Sequence, residues 1–155
     1  MAKKKPILFT IGYEGASVPG VAQALQAAGV KTLIDVRDLP RSRRAGFSKG
    51  PLSASLQADH IDYVHLKALG TPAEGREANR TGRMDRFWQI VEAQLAKPEA
   101  EHDLALAATI AAEAPACLLC LERDHRTCHR SRVAEMLARE YGFKVEHLVP
   151  TDPAF

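Results

Sequence analysis

The sequence lacks a long unbroken apolar run, is poor in aromatic residues and has only three cysteines. Its longest apolar region, Leu104 to Leu121, is interrupted by Glu113 and Pro115, so it predicts a buried helix followed by a buried strand and no membrane span. Three cysteines cannot complete a disulfide framework, and the short apolar stretch behind Lys3-Lys4-Lys5 is too brief for a secretory core. Free thiols in a reducing cytoplasm are therefore expected. Aromatics at 6% argue against a stacking platform for single-stranded nucleic acid. A formal charge of +2 is too mild by itself to call for a polyanionic partner. There is no internal repeat and no low-complexity block.

What is present is enough for one core. The 155 residues are 46% hydrophobic and predict a single domain over residues 7–149, between a basic N-terminal tail, 1–6, and a C-terminal tail, 150–155. Strands are expected at Ile7–Ile11, Thr32–Val36, Ile61–Leu66, Cys117–Leu121 and Phe143–Val149, where β-branched and apolar residues run between turn residues. Helices are expected from an N-cap at Ser17 to a stop at Gly29, behind Pro51, from Phe87 to Leu95 and Leu104 to Ala112 around Pro98, and from Ser131 to Tyr141. The polar stretch Glu74 to Arg86, with Gly75 and Gly82, reads as an excursion or flexible lid. Strands alternating with helices predict an α/β domain of three layers, a mainly parallel sheet of about five strands flanked by helices. Such a sheet gathers its functional loops beyond the carboxyl ends of its strands.

Those loops contain the unusual chemistry. Arg37, Arg41, Arg43, Arg44 and Lys49 face a single acid, Asp38, in one loop, and Arg123, Arg126, Arg130 and Arg132 face Asp124 in another. Two cationic loops on one sheet edge suit a phosphate, sulfate or carboxylate, because the planar guanidinium offers paired donors. Arg37, Arg41, Arg43, Ser48, Lys49 and Arg130 are the candidate anion-binding residues; a solvated charged face is the plainer alternative. Tyr13, Glu14 and Asp35 follow or end strands and are placed to orient a ligand or an arginine. Cys128-His129-Arg130 opens a helix, where dipole and cations favour a thiolate, so Cys128 is the candidate nucleophile or redox centre, with His129 and Glu122 for proton transfer. Cys117 and Cys120 have a C-x-x-C spacing, but residues three apart in a strand point to opposite faces. They read as core thiols, and no metal site or cofactor is expected.

Taken in order, Thr10-Ile-Gly-Tyr-Glu-Gly15, Asp35-Val-Arg37, Pro40-Arg-Ser42, Gly46-Phe-Ser-Lys49, His65-Leu-Lys-Ala-Leu-Gly70, Cys120-Leu-Glu122 and Cys128-His-Arg130 resemble the DUF488 family, bacterial and archaeal proteins defined by sequence without a settled activity. The resemblance implies a small α/β domain and directs attention to Gly12, Asp35, Arg37, Pro40, Ser42, Phe47, Glu122, Cys128, His129 and Arg130. Leu33-Ile-Asp-Val-Arg37 is also loosely similar to the strand end of rhodanese-type domains, although Cys128-His-Arg-Ser-Arg132 has neither their glycine-rich cysteine loop nor the C-x5-R cradle of cysteine phosphatases.

Two functions are compatible with these residues. One is a cysteine-dependent transferase or hydrolase acting on a small phosphate-bearing or other anionic substrate. The other is a binding module without catalysis, for a nucleotide, a nucleic acid or a sensed metabolite. Both expect an anionic ligand and no membrane partner.

Overall fold

The computed structural model describes residues 5–152; Lys3 and Lys4 of the basic tail lie outside them. The chain runs β1 (Ile7–Gly12), α1 (Val18–Ala27), β2 (Thr32–Asp35), α2 (Lys49–Ala58), β3 (Asp62–His65), α3 (Ala73–Arg80), α4 (Met84–Leu95), α5 (Pro98–Glu113), β4 (Ala116–Cys120), α6 (His129–Tyr141) and β5 (Lys144–Leu148). Single turns of 3-10 helix at Lys67–Leu69 and His125–Thr127 complete it. All strand pairs are parallel, in the order β3-β2-β4-β1-β5.

The two faces of the sheet are covered by separate apolar layers. Alternation sends Phe9, Ile11, Leu33, Cys117 and Leu119 to one face, against Val21 and Leu25 of α1 and Leu52 and Leu56 of α2. It sends Leu8, Ile34, Leu118 and Cys120 to the other, against Val91 and Leu95 of α4, Leu104 and Ala108 of α5 and Leu137 of α6. Both layers are closed to solvent because β2 and β4 are buried along their whole length and β1 from Leu8 onward, with apolar side chains at most of their positions, as a sheet covered on two sides requires.

Ser17 caps α1 as expected, its Oγ accepting from the Gly20 amide at 3.0 Å, and Pro98 sits in the first turn of α5 and separates it from α4. The supposed excursion at 74–86 is instead α3, a turn, and the start of α4. Only Gly75 and Ala78 of α3 are buried, so its packing rests on small residues against α4 and leaves no apolar stripe to read. Beyond β5, Asp152 accepts from the Ser17 amide at 3.1 Å and the Ser17 hydroxyl at 2.7 Å, which fastens Thr151 and Asp152 to the start of α1.

The connections leaving β1 and β2 pass to the α1/α2 face, whereas the one leaving the intervening β4 leads to α6 on the other face. A crevice therefore opens at the carboxyl ends of these three strands. Its edges are close: a Cβ on Gly12, at the end of β1, would stand 1.8 Å from the Glu122 carbonyl oxygen. Only glycine permits this approach.

Candidate functional site

The crevice is built on a buried ion pair at the end of β2. Asp35 is fully buried and holds Arg37 through both oxygens, Oδ1 to Nε at 2.8 Å and Oδ2 to Nη2 at 2.6 Å. Arg37 Nη1 donates to the Phe47 carbonyl at 2.8 Å and to the Tyr13 hydroxyl at 3.2 Å, and Tyr13 stacks on Phe47. The Tyr63 hydroxyl donates to Asp35 as well. Burial alone works against the guanidinium charge, but Asp35 outweighs it and holds the Arg37 pKa above its ordinary range. Burial and the adjacent carboxylate push the Tyr63 phenol up. Asp35 thus orients Arg37, and four of the five guanidinium N–H groups of Arg37 are committed to protein acceptors.

Above this pair lies a cleft of about 770 Å³. Its walls carry Arg41, Ser42, Arg43 and Ser48 from the loop after β2, and Thr71, Arg76, Asn79 and Arg80 from around α3. Arg76 is paired with Asp38 at 2.9 Å, but Arg41, Arg43 and Arg80 have no side-chain acid partner among the described residues. Thr71 is buried, and its hydroxyl has no hydrogen-bond partner among the described residues. Leu39 and Leu121 supply apolar parts of the rim. Four arginines and an unsatisfied hydroxyl make the upper cleft cationic and rich in donors.

The floor is different. Cys120 ends β4, Cys128 occupies the N-cap position of α6 and His129 is the first residue of that helix. The two sulfurs and His129 Nδ1 all lie within 4.8 Å of one another, with Nδ1 3.5 Å from Cys120 Sγ and 3.8 Å from Cys128 Sγ. His129 Nε2 is 2.7 Å from the Val36 carbonyl oxygen. A carbonyl only accepts, so Nε2 bears the hydrogen and Nδ1 is turned on the sulfurs. Glu122 completes the group, with Oε2 3.8 Å from Cys120 Sγ.

These four groups shift one another. Burial disfavours a thiolate at Cys128, yet the hydrogen bond from Cys120 and the charges of His129 and Arg130 outweigh it and bring Cys128 well below the ordinary thiol range. Cys120, donating to Cys128 and itself buried, is raised well above that range. Burial first, and then the negative Cys128, push Glu122 up to about 8. Burial opposes a cationic His129, but Cys128 reverses that and raises it. The arrangement favours negative charge on Cys128 over Cys120 and favours the neutral form of the Glu122 carboxyl.

The structure distributes the sequence candidates unevenly. Tyr13, Arg37, Arg41, Arg43, Ser48, Glu122 and His129 line the cleft. Cys128 lies fully buried directly beneath, and it is Cys120, read from the sequence as a core thiol, that reaches the cleft surface. Cys117 does belong to the core, on the opposite face of the sheet. Arg130 is fully buried below the floor, donating to the Glu122 carbonyl at 2.5 Å and to Thr10 Oγ1 at 3.3 Å. Glu14 accepts from the Arg123 amide at 3.1 Å, and Lys49 is exposed at the start of α2; neither lines the cleft. Sequence reasoning missed Thr71, Arg76, Asn79 and Arg80, whose only signal was two arginines and an asparagine spaced three and one apart in a polar segment.

A family profile described as "Domain of unknown function DUF488" matches residues 17–137, most of the chain. No curated protein and no solved structure matches it. No helix among the described residues is long and apolar enough to cross a membrane.

Proposed function

We propose that this chain, which belongs to the DUF488 family, is a cysteine-dependent transferase or hydrolase acting on a small phosphate-bearing or other anionic substrate. The observation that supports this most is the position of two sulfurs, an imidazole and a carboxyl at the floor of a cleft walled by arginines. Arg41, Arg43 and Arg80 hold the anion, with the Thr71 hydroxyl as a further donor. Arg37 and Asp35 keep the floor and the basic loop in register. Arg130 acts from below, fixing the carbonyl of Glu122.

The sequence reading gives the nucleophile to Cys128, whose burial now changes its part. Cys120 is the sulfur a bound substrate meets. Its Sγ forms the new bond to the electrophilic centre, its proton passes to the Cys128 sulfur, and the Glu122 carboxyl gives its proton to the departing oxygen. Water or a second acceptor then attacks the thioester or thiophosphate, giving its proton to Glu122; the bond to Cys120 Sγ breaks, and the departing sulfur regains its proton from Cys128. Positioning by a cleft of this kind contributes most when the reacting atoms start within about 3–3.5 Å.

Intact-mass spectrometry after mixing the chain with acetyl phosphate or p-nitrophenyl phosphate tests the reading. The expected result is an acyl or phosphoryl adduct on Cys120, absent in Cys120→Ala, with turnover lost in the same variant. Turnover and adducts that survive in both Cys120→Ala and Cys128→Ala, or that are absent throughout, contradict it.

A further inference from the structure

We infer that Cys120 Sγ, Cys128 Sγ and His129 Nδ1 form a binding site for a thiophilic divalent cation, Zn2+ above all. A tetrahedral zinc ion with sulfur at about 2.3 Å and nitrogen at about 2.0 Å sets its sulfur and nitrogen ligands roughly 3.6 Å apart. The observed separations from Nδ1 are 3.5 Å to Cys120 and 3.8 Å to Cys128. All three donor atoms lie within 4.8 Å of one another, so adjustments of a fraction of an ångström to the side chains bring them onto one ion.

The second observation concerns the imidazole. Zinc-bound histidines characteristically donate their remaining N–H to a carbonyl or carboxylate, which fixes the ring and frees the other nitrogen. His129 does this already, with Nε2 2.7 Å from the Val36 carbonyl and Nδ1 facing both sulfurs. Two thiolates and one imidazole suit zinc and exclude the hard ions Mg2+ and Ca2+. The fourth position opens toward the cleft beside Glu122, whose Oε2 is 3.8 Å from Cys120 Sγ. Three protein ligands and one accessible position leave room for water or a cleft anion on the ion.

The inference goes beyond the proposed thiol chemistry and limits it. An ion on both sulfurs leaves neither free to attack, so metal binding and attack by Cys120 exclude each other. Zn2+ thereby acts as a brake on the reaction.

The test is titration of the reduced full-length chain with Co2+. One equivalent is expected to produce sulfur-to-cobalt charge-transfer absorption and the intense visible bands of tetrahedral cobalt, both removed by one equivalent of Zn2+. Cys120→Ser and Cys128→Ser each diminish the charge-transfer band, and the double variant abolishes it. No such bands, or bands that persist in the double variant, overturn the site. A companion measurement needs no variant: Zn2+ is expected to protect Cys120 of the native chain from N-ethylmaleimide, and unchanged labelling of Cys120 overturns the site even where a serine variant fails to fold. Neither readout involves a substrate, so a failed enzyme assay beside a positive cobalt spectrum removes the proposed function and leaves the metal site standing.

Discussion

His129 Nε2 and the Val36 carbonyl oxygen are 2.7 Å apart, and through this contact the exit of β2 sets the direction in which the imidazole faces the two sulfurs. The backbone of one loop thereby fixes the tautomer of a side chain in another. His129→Ala leaves the buried Val36 carbonyl without its donor and is expected to cost about 2 kcal/mol of stability. Urea unfolding measures that loss. The same variant is expected to slow alkylation of Cys120 at pH 7 by tenfold or more, an effect that mere loosening of the fold would reverse.

Asp35 and Arg37 form the buried pair on which the cleft rests. Asp35→Ala leaves a buried guanidinium without its bidentate partner and is expected to destabilise the chain by about 3–5 kcal/mol. Because four of the five guanidinium N–H groups of Arg37 are engaged within the protein, phosphate binding per folded molecule is expected to change little in Arg37→Lys while stability falls. Paired unfolding and calorimetric titrations separate the two effects.

Arg41 and Arg43 are expected to behave in the opposite way. Each projects from the loop after β2 into the cleft without an acid partner among the described residues. Changing either to Ala is expected to weaken phosphate affinity by about fivefold, equivalent to roughly 1 kcal/mol, and to leave the unfolding midpoint nearly unchanged. Calorimetry at two salt concentrations checks this, since the binding is expected to weaken as salt rises.

His147 gives the fold a pH signature outside the cleft. It stacks on His125 with ring centroids 3.6 Å apart, and its Nδ1 is 2.6 Å from Thr10 Oγ1. Partial desolvation, then the charges of His125 and Arg130, lower its pKa to about 4. In the unfolded chain it protonates near pH 6.5, so the unfolded state binds the extra proton first as pH falls. Its contribution to stability is therefore present above pH 6.5, declines as pH falls toward 4, and is gone below that. Because the residue is exposed, solvent screening holds the effect to about 1 kcal/mol. Thermal unfolding between pH 7 and pH 4 is expected to show this slope in the native sequence and a shallower one in His147→Asn.

Much of this architecture is legible in the chain because apolar alternation specifies a two-sided parallel sheet, and Ser17, Gly29 and Pro98 mark helix limits through rules local to a few residues. α3 is not legible, since Ala73–Arg80 buries only Gly75 and Ala78 and carries its arginines and asparagine outward. The two-residue period correctly separates Cys117 from Cys120, but it gives no sign that the face under Cys120 opens into a crevice one residue later. Arg130 shows the converse. Its place in the first turn of α6 suggests an anion ligand, yet that turn faces inward, where Glu122, Arg123 and Thr10 take its donors. Such choices depend on crossover geometry, which local sequence does not contain.

The measurement that tests the account most directly is residue-resolved alkylation of the native chain at neutral pH with iodoacetate and with iodoacetamide. An arginine-walled cleft over a reactive sulfur is expected to favour the anionic reagent at Cys120, to lose that preference in Arg41→Ala/Arg43→Ala, and to be protected by phosphate, while Cys117 stays unlabelled. Equal or slower labelling of Cys120 by iodoacetate, unaffected by phosphate or by the arginine changes, would contradict the claim that the cationic cleft and the sulfur cluster form one site.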